Sequence, residues 1–164
     1  MEYINQSEDL EPTLENLVRR VDIPSIPEHL IDRDLAVIES RENVFPRPDF
    51  IETIASYKVP DELTDWCQQH FGFPVVVRYL VVKKSLRCHI DYGIAGYKYN
   101  FVVDTGGDDV VTSFHDGVDE PFNTIAAYHC EVNNWYRVHI STPHSVNQPD
   151  RPRILITAKL RNQK

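Results

Sequence analysis

The sequence has little of several features that would place it in a well-defined class. Its 164 residues contain only three cysteines, Cys67, Cys88 and Cys130, and no CxxC pair, which argues against a disulfide framework. Lys and Arg form no long cluster and the net charge is −8, so we expect no nucleic-acid partner. No apolar stretch is long enough to cross a membrane, and the polar start "MEYINQSEDLEP" lacks the character of a signal peptide. We therefore expect a reducing, cytoplasmic setting without membrane association.

The two parts of the chain differ in character, although the length suits one domain with a real core. Residues 1–73 predict a mostly helical layer. The apolar residues of "EPTLENLVRRV" have helical spacing, and "RPDFIETIASY" and "PDELTDWCQQHFG" each open on Pro followed by Asp, the second stopping at Gly72. We expect these segments to cover one face of a sheet.

Residues 74–164 predict short β-strands separated by segments rich in turn-forming residues. The fold class that follows is mainly β (α+β), an antiparallel sandwich or jelly roll with an N-terminal helical layer. The predicted strands are "VVVRYLVVKK", "LRCHID", "GYKYNFVVD", "VVTSFHD", "NTIAAYHCEV", "YRVHIS" and "RILITAKL".

A histidine and an aspartate stand two residues apart at the end of one predicted strand, in "SLRCHIDYG". Side chains at i and i+2 of a strand share a face, so His89 and Asp91 would point the same way. Two such side chains can begin a metal site, which then needs a third ligand from another strand.

Four histidines are candidates for that ligand: His115, His129, His139 and His144. His144 follows Pro143 at the start of a segment and is the favoured ligand. His139 is the main rival, whereas His115 and His129 are interpreted as ordinary strand or loop residues. With His144, the set is the two-histidine, one-carboxylate triad that leaves open positions on Fe(II).

An arginine opens the apolar strand "RILITAKL". A charge at that place is costly without an anionic partner, and its own strand holds no acidic residue. A guanidinium accepts a carboxylate in bidentate fashion, so Arg153 is predicted to bind the carboxylate of a ligand.

The segments "HID", "PHSV" and "RPRILIT" follow one another as in the Fe(II)/2-oxoglutarate-dependent oxygenases, and Pro74 to Leu160 resembles that superfamily. The string "VHISTPHSVNQPDRPRILI" is most similar to the aspartyl/asparaginyl β-hydroxylase branch and related free-proline hydroxylases. The resemblance implies a double-stranded β-helix (jelly-roll) fold, with Fe(II) as cofactor and 2-oxoglutarate as cosubstrate.

The resemblance also implies roles for individual residues. His89, Asp91 and His144 would bind iron, and Arg153 would pair with the distal carboxylate of 2-oxoglutarate. Tyr79 resembles a tyrosine that prolyl-hydroxylase-like members place against the cosubstrate. Lys98 and Asn100, in "YKYNF", stand near positions where the branch has a basic residue and a histidine, and Asn100 is the stronger candidate of the two.

The expected activity is hydroxylation of a C–H bond in an amino-acid or peptidyl substrate, with O₂ consumed and succinate and CO₂ released. Two alternatives stay open at this point. One is a non-catalytic, cupin-like metal-binding jelly roll, and the other is a cupin-type enzyme without 2-oxoglutarate, for which His139 would be an extra ligand. Trp135 and Tyr136 are candidates for a substrate pocket, with packing the favoured interpretation.

Overall fold

The computed structural model describes residues 16–91 and 96–161, and β-strands dominate them. No helix in the described part is long and apolar enough to cross a membrane. Two short 3₁₀ turns lie at Glu28–Leu30 and Pro48–Phe50. The helices are α1 (Leu35–Glu39) and α2 (Asp61–Phe71), and the strands are β1 (Val18–Arg20), β2 (Ile54–Lys58), β3 (Val75–Val82), β4 (Leu86–His89), β5 (Tyr97–Asp104), β6 (Thr112–His115), β7 (Thr124–Tyr128), β8 (Trp135–His139), β9 (His144–Val146) and β10 (Arg153–Leu160).

The strands form two antiparallel sheets that face each other. One has six strands in the order β1-β8-β5-β10-β3-β2, and the other has four in the order β4-β9-β6-β7. Residues of both sheets, including Val102, Phe114 and Leu155, share one hydrophobic cluster between them. We call this space the interior. The predicted jelly roll is thereby confirmed.

The six-stranded sheet is buried on both faces, which explains why its strands read as nearly continuous apolar runs. Along β10, Leu155 belongs to the interior cluster, whereas Ile154 and Ile156 belong to a second cluster on the other side. We call this second cluster the outer core. It packs the sheet against the N-terminal part of the chain and contains Ile23, Ile38, Leu63, Cys67, Phe71, Tyr79, Tyr99 and Trp135, among others.

Helix α2 is the main helical element of the outer core. Pro60 precedes it, and Gly72 ends it in the left-handed conformation with φ 77°, which glycine adopts without steric cost. Leu63, Cys67 and Phe71 lie at helical spacing and are fully buried. The helix predicted for "PDELTDWCQQHFG" is confirmed.

The other predicted N-terminal helices are corrected in the described residues. Val18–Arg20, at the end of "EPTLENLVRRV", form strand β1, which pairs with β8; the first part of that segment lies outside the described residues. "RPDFIETIASY" forms the turn Pro48–Phe50 and then strand β2, which pairs with β3. Hydrogen bonding to the edges of an existing sheet overrides the local helical pattern here. The N-terminal layer is therefore part helix and part strand.

Candidate metal centre and its surroundings

Three side chains predicted to bind a metal come together at one end of the four-stranded sheet. His89 ends β4 and His144 begins β9, and the two residues are direct partners in the antiparallel pairing of these strands. Asp91 follows β4, and its backbone N–H donates a 2.9 Å hydrogen bond to the carbonyl of Ile140. One ligand atom from each of the three side chains lies within 4.8 Å of the others.

Backbone carbonyls fix the orientation of both imidazole rings. Nδ1 of His89 lies 2.7 Å from the carbonyl oxygen of Arg87, and Nδ1 of His144 lies 2.8 Å from that of Thr142. Each Nδ1–H therefore donates to a carbonyl, which turns Nε2 toward Asp91. In the protonated imidazole Nε2–H donates to the carboxylate, and in the neutral imidazole Nε2 carries the lone pair that binds a metal. The two Nε2 atoms lie 3.5 Å and 3.3 Å from the carboxylate oxygens of Asp91.

The charges in this cluster suit a cation. Burial acts to raise the pKa of Asp91, but hydrogen bonds from His144 and His89 outweigh it and hold that pKa far below its ordinary value. The hydrogen bond to Asp91 raises the pKa of His89. Two imidazole nitrogens and an ionised carboxylate, already facing one point, are the donor set of a facial triad. The residues present thus fit a divalent transition metal.

Arg153 is buried in the interior, and the described part of the chain gives it no acidic partner. The residue is 5% exposed, its Nε has no hydrogen-bond partner among the described residues, and its Nη1 lies 3.4 Å from Oγ1 of Thr112. Burial lowers the pKa of the guanidinium. Within the described residues no carboxylate forms an ion pair with it, so the charge is available for a ligand.

The position of Arg153 relative to the triad follows from the strand register. In the pairing of β6 with β9, Phe114 is opposite His144 and Thr112 is opposite Val146. Thr112 therefore lies two residues deeper than the triad, and two residues of a strand span about 7 Å. The guanidinium that contacts Thr112 lies one layer below the metal ligands.

Two further polar residues of β5 face the interior. Tyr97, Tyr99 and Phe101 belong to the outer core, so the alternating Lys98 and Asn100 point the other way. Asn100 is buried and its Oδ1 has no hydrogen-bond partner. Burial lowers the pKa of Lys98 to about 8, while Asp91 opposes that shift. Lys98 is close enough to Asp91 and Arg153 to interact with both charges, and Asn100 follows it on the same face of β5. The sequence favours Asn100 over Lys98 as a cosubstrate contact.

The structure separates Tyr79 from these residues. Tyr79 is fully buried in the outer core, and its hydroxyl accepts a 2.8 Å hydrogen bond from the backbone N–H of Asp32. Neighbouring residues of a strand face opposite sides, so Arg78 and Leu80, not Tyr79, face the interior. The expectation that Tyr79 contacts the cosubstrate is corrected.

Replacing Tyr79 by Phe tests this correction. The hydroxyl links the sheet to the N-terminal layer, so we expect the free energy of unfolding to fall by about 1 kcal/mol, as for one lost hydrogen bond. The KM for 2-oxoglutarate, the cosubstrate expected from the sequence, should stay unchanged. Urea unfolding and succinate formation at varied 2-oxoglutarate measure the two quantities, and a KM raised several-fold would put Tyr79 back in the site.

The remaining candidate histidines lie elsewhere. His139 is on the outer-core side of β8, where it packs beside Tyr97 with 6.3 Å between ring centroids, so it does not complete the triad. His115 bonds through both ring nitrogens to Ser145 and Thr124, and His129 is exposed.

The aromatic pair at the start of β8 contributes packing. Trp135 is 1% exposed and packs edge-on against Phe71 in the outer core, so it does not line an interior pocket. The hydroxyl of Tyr136 accepts a 3.0 Å hydrogen bond from the backbone N–H of Glu131.

No family model and no curated protein matches this sequence, but solved structures match its fold. A Pseudomonas putida prolyl-4-hydroxylase is similar over 91% of this chain and 94% of its own, with a TM-score of 0.51 and 13% sequence identity. The chain has a double-stranded β-helix fold. The non-heme alpha ketoglutarate dependent epimerase SnoN from nogalamycin biosynthesis is similar over 88% of this chain and 77% of its own, with a TM-score of 0.48 and 12% identity.

A mutant of Bacillus subtilis oxalate decarboxylase is also similar, over 77% of this chain, with a TM-score of 0.44 and 11% identity. This chain spans only 29% of that longer protein. A similar fold at such low sequence identity does not determine function, which has to be argued from the site.

Proposed function

We propose that the protein is an Fe(II)- and 2-oxoglutarate-dependent oxygenase that hydroxylates a C–H bond of an amino-acid or peptidyl substrate. The observation that carries this proposal is Arg153, a buried guanidinium that has no acidic partner among the described residues and lies one layer below a His-Asp-His triad. Burial of an unpaired charge costs free energy. In a metal-binding jelly roll without a dicarboxylate ligand, no interaction would offset that cost.

Each interior residue has a separate task in this proposal. His89, Asp91 and His144 hold the metal, and the carbonyls of Arg87 and Thr142 keep the imidazoles turned toward it. When bound, Fe(II) supplies O₂ activation coupled to the decarboxylation of 2-oxoglutarate to succinate and CO₂.

The deeper residues hold the cosubstrate. Arg153 binds its distal carboxylate, and Thr112 orients the guanidinium through the 3.4 Å contact. Asn100 lies on the same side of the sheet, and its side-chain NH2 group would donate to an oxygen of the cosubstrate, all of whose oxygens are acceptors. The apolar interior around Val102, Phe114 and Leu155 keeps water away from the ion pair and so strengthens it.

The fold supports this proposal and weakens one alternative. The Pseudomonas putida protein with a similar fold is a prolyl-4-hydroxylase. A cupin-type site with His139 as an extra ligand loses support, since His139 is on the other face of the sheet. We further propose a cytoplasmic enzyme whose substrate is a small molecule or peptide, with no nucleic-acid or membrane partner.

Binding of the cosubstrate under anaerobic conditions tests the proposal. Fe(II) and 2-oxoglutarate added together should give a weak visible charge-transfer band, which Fe(II) alone or Zn(II) with 2-oxoglutarate should not give. Admission of O₂ should then produce succinate in an amount that depends on both Fe(II) and 2-oxoglutarate. A protein that binds Fe(II) but gives neither band nor succinate would contradict the oxygenase proposal.

A further inference from the structure

Two lysines lie next to each other on the interior face of the six-stranded sheet, at the same end as the triad. In β10, Leu155 faces the interior, and strand alternation places Thr157 and Lys159 on the same face. Ala158 is opposite Tyr99 in the pairing of β10 with β5, so the next residues, Lys159 and Lys98, are opposite each other. We call them the lysine pair.

The lysine pair has no ion-pair partner in the described parts of the chain. Lys98 is half-buried and Lys159 is exposed at the end of β10. The charge of Asp91 is felt at Lys98, as are the charges of Lys159 and Arg153.

This arrangement is unfavourable for the protein alone. Like charges opposite each other on neighbouring strands are destabilising, and a half-buried ammonium group loses hydration. The chain has 25 acidic residues against 17 basic ones, so the sequence does not lack acids with which to neutralise such a pair. An unneutralised pair in a site points to a ligand that brings the negative charge.

The metal and the cosubstrate do not supply that charge. In the proposed function, the negative charges of Asp91 and 2-oxoglutarate balance the positive charges of Fe(II) and Arg153. The positive charges of the lysine pair are not balanced by these groups. The pair lies at the end of the interior that holds the triad, not at the end that holds Arg153.

We propose that the substrate of this site carries a carboxylate, and that Lys98 and Lys159 bind it beside the metal triad. This inference rests on the proposed function, because it assigns the substrate class of the same site. A neutral peptide segment does not meet the charge of the pair; a free amino acid, a chain-terminal carboxylate or an acidic side chain does.

Binding of matched ligands tests the inference without turnover. With Zn(II) and 2-oxoglutarate bound, ligand-observed NMR titration compares N-acetyl amino acids with their amides, which differ by one charge, for all twenty side chains. We expect the best acids to bind at least about tenfold more tightly than their amides, as for a charge-assisted hydrogen bond. Equal binding of acids and amides, or no binding of either, overturns the inference.

Charge-removing variants locate the binding site. Lys98→Gln and Lys159→Gln should each bring the ratio of acid to amide affinity close to one. Lys84→Gln is the matched control, because Lys84 is exposed and lies 4.0 Å from Glu52, outside the interior; it should keep the wild-type ratio. A ratio that survives both lysine-pair variants overturns the inference.

Succinate formation separates this inference from the proposed function. If acids bind selectively but no 2-oxoglutarate is consumed, the oxygenase proposal fails and the lysine pair remains an anion site. If 2-oxoglutarate is consumed but amides stimulate turnover as well as acids do, the oxygenase proposal stands and the inference fails.

Discussion

The variant His144→Ala is expected to lose both metal binding and succinate formation. His144 supplies one of three ligand atoms, and its imidazole is already turned toward Asp91 by the carbonyl of Thr142. Loss of a partner behind a ligand costs about 10–100-fold in metal affinity, so removal of the ligand itself should cost at least about 100-fold. Competition with a chelator measures the affinity, and an assay for succinate measures turnover.

The matched control for this experiment is His129→Ala. His129 is an exposed histidine whose Nδ1 lies 3.1 Å from the carbonyl of Val110, so the same substitution removes an imidazole outside the site. We expect wild-type metal affinity in this control. If His144→Ala kept its metal while His129→Ala lost it, the triad would be assigned wrongly.

The variant Arg153→Met is expected to lose cosubstrate binding while the fold is kept or made more stable. Arg153 has no acidic partner in the described residues, so the ligand-free protein carries an uncompensated buried charge. Replacing a buried charge by an apolar side chain of similar volume is often neutral or stabilising by about 1–4 kcal/mol. The loss of charge-assisted hydrogen bonds should raise the KM for 2-oxoglutarate about 10–100-fold.

Two measurements and one control variant test this prediction. Urea unfolding without ligands gives the stability, and succinate formation at varied 2-oxoglutarate gives the KM, with metal affinity expected to stay at the wild-type value. Arg151→Met is the control, because Arg151 is exposed and forms a 2.9 Å ion pair with Asp104. A strongly destabilised Arg153→Met variant with an unchanged KM would assign Arg153 a structural role.

The triad could be predicted from the sequence because the types of its residues and their order along the chain indicate a metal-binding set. His89 and Asp91 stand at the spacing that puts two side chains on one face of a strand. His144 and Arg153 follow later, each at the start of a strand. A prediction that places a residue at the end of a strand remains valid when the predicted boundary is wrong by one or two residues.

Tyr79 could not be placed from the sequence, because both faces of its strand are buried. Val75, Val77, Tyr79 and Val81 face the outer core, while the alternating residues of "VVVRYLVV" also include apolar side chains. Alternation then divides the strand into two faces without showing which of them is the interior.

The N-terminal strands and the lysine pair depend on long-range pairing. The apolar spacing of Leu17, Val18 and Val21 fits a helix, yet β1 pairs with β8, far away in the sequence. Likewise, Lys98 and Lys159 become neighbours only through the register of β5 with β10, which contains an irregularity at Ile154/Leu155. A single sequence carries no direct signal for such a register.

Strand β4 lies at the edge of the four-stranded sheet. Among the described residues its one strand neighbour is β9, to which two residue pairs, separated by an irregularity, connect it. A metal ion bound by His89, Asp91 and His144 would link β4 to β9, which few backbone pairs connect. A ligand that binds only the assembled form stabilises it by RT ln(1 + [L]/Kd). The stability of the pairing between β4 and β9 should therefore increase with the free metal concentration. Removal of the metal should thus weaken the pairing of edge strand β4 with β9, in addition to abolishing activity.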